Sequence, residues 1–150
     1  IGAIRYNIIK VQPEKAIVFK WEEALNFEGN SAPFIQYAHA RASSILRKNN
    51  EEIKDTNPEL LKHESEILLI KKIADFPEII KRSYNEYKPH LIANFLFEFA
   101  SSFNQFYRDC PVLSEENTDL KKTRLYLVKS AKTVLKNGLD LIGIYAPYEM

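Results

Sequence analysis

Phe34, Tyr37 and Arg41 are the residues of this 150-residue chain whose types and spacing best fit a chemical task. At about 100° per residue on an α-helix they project within a sector about 60° wide, so two rings and a guanidinium would share one face. Such a group makes a platform for flat partners. Every nucleobase has a π face, stacking on an aromatic side chain is worth about 1 to 3 kcal/mol per base, and the guanidinium adds a cation for a base or a phosphate. Unpaired loops of RNA present bases splayed in the way such a platform needs. The same spacing also describes rings packed at the edge of a core, and periodicity does not choose between the two.

Tyr107 and Arg108 could repeat the ring-plus-guanidinium pattern at a second site, or Tyr107 could simply pack. Lys122, Lys129, Lys132 and Lys136 fall in one narrow sector of a helix beginning near Thr118, opposite Leu120, Leu127, Ala131, Val134 and Leu135. A lysine face is the ordinary solvated exterior of a helix; against a polyanion it would also hold phosphates and make affinity fall with salt. Groups for bond-making chemistry are missing. There is no Gly-rich phosphate loop, no HExxH and no GxSxG, and His39, His63 and His90 stand without carboxylates at metal-ligand spacing. An imidazole with no orienting partner does no acid-base work. The histidines are therefore read as structural or solvent-facing, and the chain as one that works by binding.

Twenty-one basic against twenty acidic side chains give a formal charge of +1. Contact with a polyanion must then come from local clustering rather than a global field. The single Cys110 rules out an internal disulfide and, without CxxC or a Cys/His cluster, gives no support to a zinc site. A reducing, cytoplasmic setting is expected. No apolar run approaches the roughly 18 residues that span a bilayer, so no membrane partner is expected. The start, Ile1-Gly2-Ala3-Ile4-Arg5, is neither a signal peptide nor an initiator methionine and reads as a cut from something longer.

Helices must position these groups. Glycine is scarce and no stretch alternates as a strand requires, which predicts an all-α helical bundle. A short apolar segment (Ile1, Ile4, Ile8, Ile9) and a linker around Pro13 precede a boundary at Gly29-Asn30. Ser31 and Pro33 open a helix to about Lys48, with Ile35, Ala38, Ala42, Ile45 and Leu46 on its apolar side, followed by a loop or frayed end from Arg47 to Lys54. Asn57-Pro58 starts a second helix, and Asp75 before Phe76-Pro77 starts a third. Pro89 opens the most apolar segment, where Ile92, Phe95, Leu96, Phe99, Phe103 and Phe106 form an interior stripe. The last helix runs from about Thr118 to Asn137, with Gly138 as a left-handed stop.

The run Asn26-Phe27-Glu28-Gly29-Asn30-Ser31-Ala32-Pro33-Phe34-Ile35-Gln36-Tyr37-Ala38-His39-Ala40-Arg41 strongly resembles the arginyl-tRNA synthetase signature FEGNTAPYxQYAxxR. The stretch Val134 to Ile144, with Ala146-Pro147 and Met150, resembles that family's ending, and Cys110-Pro111-Val112-Leu113 fits the segment between. The resemblance covers essentially the whole chain. It implies a class I aminoacyl-tRNA synthetase anticodon-binding domain, helical, over residues 31–150, with residues 1–30 as the tail of the catalytic and stem-contact region. Neither a HIGH-like nor a KMSK-like motif is present. What is implied is a part of an arginine-tRNA ligase that is inactive alone. ATP and arginine would bind a catalytic domain elsewhere, with no cofactor held here. The implied partners are arginine tRNA and the rest of the parent synthetase, acting as a monomer.

Carried over position by position, the family's anticodon-loop contacts fall on Phe34, Tyr37 and Arg41; Tyr107 matches a family tyrosine and Met150 the terminal methionine that shapes the pocket. Lys129 and Lys132 are the stripe lysines expected to steer the RNA backbone. Two departures stand out. Phe34 occupies a position commonly held by tyrosine, keeping a ring but no hydroxyl, and the ending Tyr148-Glu149-Met150 replaces Glu-Arg-Met, removing an arginine. A helical protein-interaction or scaffold domain, with the same rings in its core, is the alternative from another class; salt dependence of binding separates the two. The related helical domain of the cysteinyl enzyme is a further reading, against which the Asn26 to Arg41 match argues.

Overall fold

The aromatic stripe organises the molecule. In the computed structural model, which describes residues 1–50 and 52–150, helix α5 (His90–Asp109) buries Ile92, Phe95, Leu96, Phe99, Phe103 and Phe106. The remaining helices are α1 (Gly2–Ile9), α2 (Trp21–Ala24), α3 (Ala32–Lys48), α4 (Glu64–Glu86) and α6 (Thr118–Leu141), and the described residues contain no strand. α4 lies along α5, α3 lies along α6, and α3 and α6 both touch α5. Ile35, Ala38, Ala42 and Ile45 of α3 face Leu125, Val128, Ala131 and Leu135 of α6 within one continuous core. The expected all-α bundle is the fold observed.

Three expected boundaries are corrected. Asp75-Phe76-Pro77 does not begin a helix, because α4 runs unbroken from Glu64 to Glu86 with Pro77 inside it. An interior proline costs about 3 kcal/mol. Continuing the helix keeps Leu69 and Phe76 on one buried face, with Phe76 stacked 5.6 Å from Phe95, and that packing offsets the loss. Asn57-Pro58 makes only a 3-10 turn over Pro58–Leu60. α4 starts later, at His63, whose ring nitrogen accepts from the Ser65 N–H at 3.2 Å while the Glu66 carboxylate accepts from the His63 N–H at 2.8 Å. This is a capping box with a histidine in place of the usual serine or threonine.

Gly138 is not a stop either. α6 passes through it to Leu141, and the left-handed residue is Gly143, at φ +67°. Gly138 instead lets α5 come close: a Cβ there would sit 2.4 Å from Leu96 Cδ2. Residues Arg47 to Lys54 do mark an end, since α3 finishes at Lys48 and no helix covers the described residues 49, 50 and 52 to 54.

α1 packs against the bundle in an unexpected orientation. It buries Tyr6 and Asn7, whereas Ile1, Ile4 and Ile8 face outward. The Tyr6 hydroxyl lies 2.6 Å from Asn30 Oδ1 and 2.9 Å from the Ala93 carbonyl, and burial pushes its pKa above the ordinary tyrosine value.

Candidate nucleic-acid interface

The loop ahead of α3 fixes where that helix begins. The Ser31 hydroxyl donates to the Asn26 carbonyl and accepts from the Phe34 N–H at 3.4 Å, while Asn26 Oδ1 accepts from the Glu28 N–H at 2.7 Å. Lys10 ties the Asn30 carbonyl at 2.8 Å. Most of the run from Asn26 to Arg41 is therefore structural, and Ala32, Pro33, Ile35, Ala38, His39 and Ala40 are buried. On the helix itself it leaves Tyr37 toward solvent, with Phe34, Gln36 and Arg41 half-buried, while Asn26, Phe27, Glu28 and Asn30 of the preceding loop are exposed.

Tyr37 and Arg41, one turn apart on α3, meet Tyr107 from the last turn of α5. The Arg41 guanidinium lies 4.7 Å from the Tyr37 ring centre and 5.1 Å from that of Tyr107. Both distances fall within cation–π range. Its Nη1 donates to Asn104 Oδ1 at 2.8 Å, and Asn104 sits three residues before Tyr107 on the same face of α5. The cation is thus held by two rings and a neutral amide. Among the described residues it takes part in no ion pair. The rings remain accessible, Tyr37 at 41% and Tyr107 at 43%.

Beside this group opens a groove of about 530 Å³, lined by Tyr37, Arg41, Arg47, Tyr107, Tyr148 and Met150 among others. Its far wall is the segment after α6. At Gly143 the chain turns back, with the Ile144 N–H on the Leu139 carbonyl at 2.8 Å and Arg5 reaching the Gly143 carbonyl. Gln36 Nε2 donates to the Tyr145 carbonyl at 2.7 Å, and Arg47 pairs with Glu149 at 2.8 Å. His39 Nδ1 lies 2.7 Å from the Pro147 carbonyl, which can only accept, so Nδ1 carries the hydrogen; the buried Nε2 has no partner among the described residues. Burial lowers the His39 pKa, Lys132 and Lys136 push the same way, and the Pro147 bond and Asp140 oppose them. The imidazole stays neutral near pH 7.

The residues singled out from sequence divide between places. Tyr37, Arg41, Tyr107 and Met150 share the groove. Phe34 lies across the Tyr37–Arg41 pair, its ring 5.3 Å from Phe97, at a neighbouring cavity of about 430 Å³ formed with Phe27, Glu28 and Asn104. Lys129 and Lys132 do not line the groove. They stand with Lys54 and Lys136 in a separate cleft of about 710 Å³ between α6 and the segment after α3. Lys132 still reaches toward the groove, its ammonium 4.9 Å from the centre of the Tyr148 ring, whereas Lys136 is paired with Asp140. Arg108 does not pair with Tyr107: its Nε donates to Asp109 at 2.9 Å, so Tyr107 serves Arg41 instead.

Sequence reasoning missed Asn104, Gln36, Arg47 and Tyr148 as parts of this site. The i, i+3 relation of Asn104 to Tyr107 was the one available signal; the others depend on where the segment after Gly143 folds back. It also missed a second polar cluster outside the groove, where Arg124 donates to Glu66 and Glu115, both at 2.6 Å, and to the Pro111 carbonyl at 2.9 Å. Nothing in the spacing of residues 66, 115 and 124 announces it.

Chemically the groove offers a fixed planar cation, flat faces and two further cationic side chains, Arg47 and Lys48, in its lining. It holds no nucleophile–base pair. Cys110 is buried away from it, its thiol pKa raised chiefly by burial, and among the described residues no three His, Cys, Asp or Glu side chains gather as a metal site requires. None of the described helices is long and apolar enough to cross a membrane.

The family model for the DALR anticodon binding domain matches residues 35–150. The chain belongs to that family. This DALR anticodon binding domain is 51% identical, over its whole length, to the arginine-tRNA ligase of Methanocaldococcus jannaschii and 49% identical to that of Pyrococcus abyssi, covering 27% and 24% of those proteins. It thus spans about a quarter of the length of the curated relatives it matches. Among solved structures it superposes on Thermus thermophilus arginyl-tRNA synthetase with a TM-score of 0.93 at 40% identity, over 99% of this chain and 26% of that one. The Plasmodium falciparum arginyl-tRNA synthetase gives 0.87 at 28% identity, over the same shares. The resemblance read from the Asn26 to Arg41 run therefore extends to the whole domain.

Proposed function

We propose that this DALR domain holds the anticodon loop of arginine tRNA for an arginine-tRNA ligase of which it is a part. The observation that carries the reading is the Arg41 guanidinium, which lies against the Tyr37 and Tyr107 rings with no carboxylate among the described residues to satisfy it, at the edge of an open groove. Unpaired nucleotides supply what this arrangement lacks, a π face for each ring and an anion for the cation. Tyr37 and Tyr107 stack or wall in loop bases, Arg41 takes a phosphate or a base edge, and Met150 closes the groove. Phe34 presents its remaining face in the adjoining cavity. Lys129 and Lys132 meet backbone phosphates farther along.

In the same reading ATP and arginine bind portions of the parent outside this chain, and the parent works in the cytoplasm as a monomer. The N-terminal stretch supports a protein neighbour: Ile1, Ile4, Ile8, Val18, Trp21 and Phe27 are exposed. A surface so apolar is a contact face rather than ordinary exterior. Binding of an arginine tRNA transcript tests the site. Tyr37→Ala is expected to weaken it by about 1 to 3 kcal/mol, the scale of one stacked base; wild-type affinity in both Tyr37→Ala and Arg41→Ala removes the assignment.

A further inference from the structure

We propose that His39 and Gln36 are positioning residues for the groove, touching no nucleotide themselves but holding the segment from Tyr145 to Met150 so that Tyr148 and Met150 form its wall. The inference rests on the groove being the RNA site, as proposed above. Its physical basis is the cost of His39. The side chain is wholly buried, and among the described residues its Nε2 has no partner while its Nδ1 bonds the Pro147 carbonyl. An apolar residue of similar size would fill that space without stranding a polar atom. What the imidazole adds is therefore the location of residue 147.

Gln36 does the same one turn earlier, at the Tyr145 carbonyl. Between and beyond these bonds the Tyr148 ring is confined from two sides, with its centre 5.7 Å from that of His39 and the Lys132 ammonium 4.9 Å away. Both holding residues sit on α3, the helix that carries Tyr37 and Arg41. One rigid element therefore sets both walls of the groove, and the spacing between them exists before any ligand arrives. Pre-set geometry of this kind saves the ordering cost of binding.

Two measurements on the full chain test this. Without RNA, hydrogen exchange at the Tyr145, Ala146, Tyr148 and Glu149 amides should accelerate in His39→Ala and in Gln36→Ala, while α5 and α6 stay protected as in wild type. With an arginine tRNA transcript, His39→Ala should weaken binding by about tenfold, the scale of one lost neutral hydrogen bond. His39→Asn should recover it, since its amide N–H stands near the Nδ1 position, and His39→Gln, which reaches past it, should not. A role through the wall also requires that His39→Ala add no further loss in a Tyr148→Ala, Met150→Ala background. Unchanged exchange in the segment, or a fully additive loss in that background, overturns the inference. If Tyr37→Ala loses affinity while His39→Ala binds as wild type, this inference fails and the function stands; if the wild-type chain does not bind the transcript, the proposed function fails and takes the inference with it.

Discussion

Arg41 and Arg124 are the same side chain put to opposite uses. Arg124 is 8% exposed and answered by Glu66, itself 1% exposed, by Glu115 and by a backbone carbonyl. It joins the start of α4 to α6, with its charge answered by two carboxylates. Arg41 is held just as firmly in direction but by neutral groups, two rings and an amide. Fixing a cation without neutralising it is what separates a site from a brace. On the function proposed above, two arginines of equal formal charge thus contribute to different measurable quantities, folding in one case and binding in the other.

The comparison breaks most visibly at Arg124. Replacing it by alanine strands a buried carboxylate, and urea unfolding should show a loss of about 3 to 5 kcal/mol. tRNA affinity per folded molecule should not change; a specific binding loss there would erase the distinction. Arg41→Ala is expected to do the reverse, costing about 1 kcal/mol of stability for its one amide contact and about 2 kcal/mol or more in tRNA affinity. Arg41→Lys should not restore the affinity, because a compact ammonium lacks the planar fork that reaches the Asn104 amide while staying near two rings.

Smaller effects sharpen the same contrast. If Lys129 and Lys132 meet phosphates, each alanine variant lowers the salt slope of tRNA binding by about 0.7 log units per log salt with little change in stability. An unchanged slope would leave them as exterior. The least effect concerns His39. Its folded pKa is lowered by burial and by Lys132 and Lys136, so the unfolded chain binds the proton more readily. Stability from this source is complete above the ordinary histidine value of about 6.5 and is lost as pH falls below it. Urea midpoints at pH 7.5 and 5.5 should differ by more in wild type than in His39→Asn; equal differences would show that the ring is not held neutral.

How much of this was legible without coordinates follows from range. The helices and the stripe on α5 were readable because 3.6-residue periodicity is a local signal, and Ser31-Ala32-Pro33 announced the start of α3 by its own chemistry. Pro77 misled because the packing of its neighbour Phe76 against Phe95 decides the helix's course from outside the local sequence. Gly138 misled because glycine serves close helix contact as well as helix termination, and Leu96 is what distinguishes them. At the site, Tyr37 and Arg41 were adjacent on one face and easily paired. Tyr107 carried no mark tying it to Arg41 rather than to Arg108. The Gln36 and His39 bonds to Tyr145 and Pro147, with more than a hundred residues between partners, had no local trace.

The stretch beyond Gly143 also behaves as a ruler. Its carbonyls at 145 and 147 meet donors three residues apart on α3, and Pro147 keeps Ala146 out of the helical region, so the backbone there stays drawn out. Each residue of such a chain advances about 3.3 Å, more than a hydrogen bond can stretch. The two bonds use backbone carbonyls, so they do not depend on the side chains of residues 145 and 146. A single inserted or deleted residue between Gly143 and Tyr145 would slide both carbonyls past their donors, so this part of the molecule is exacting about length.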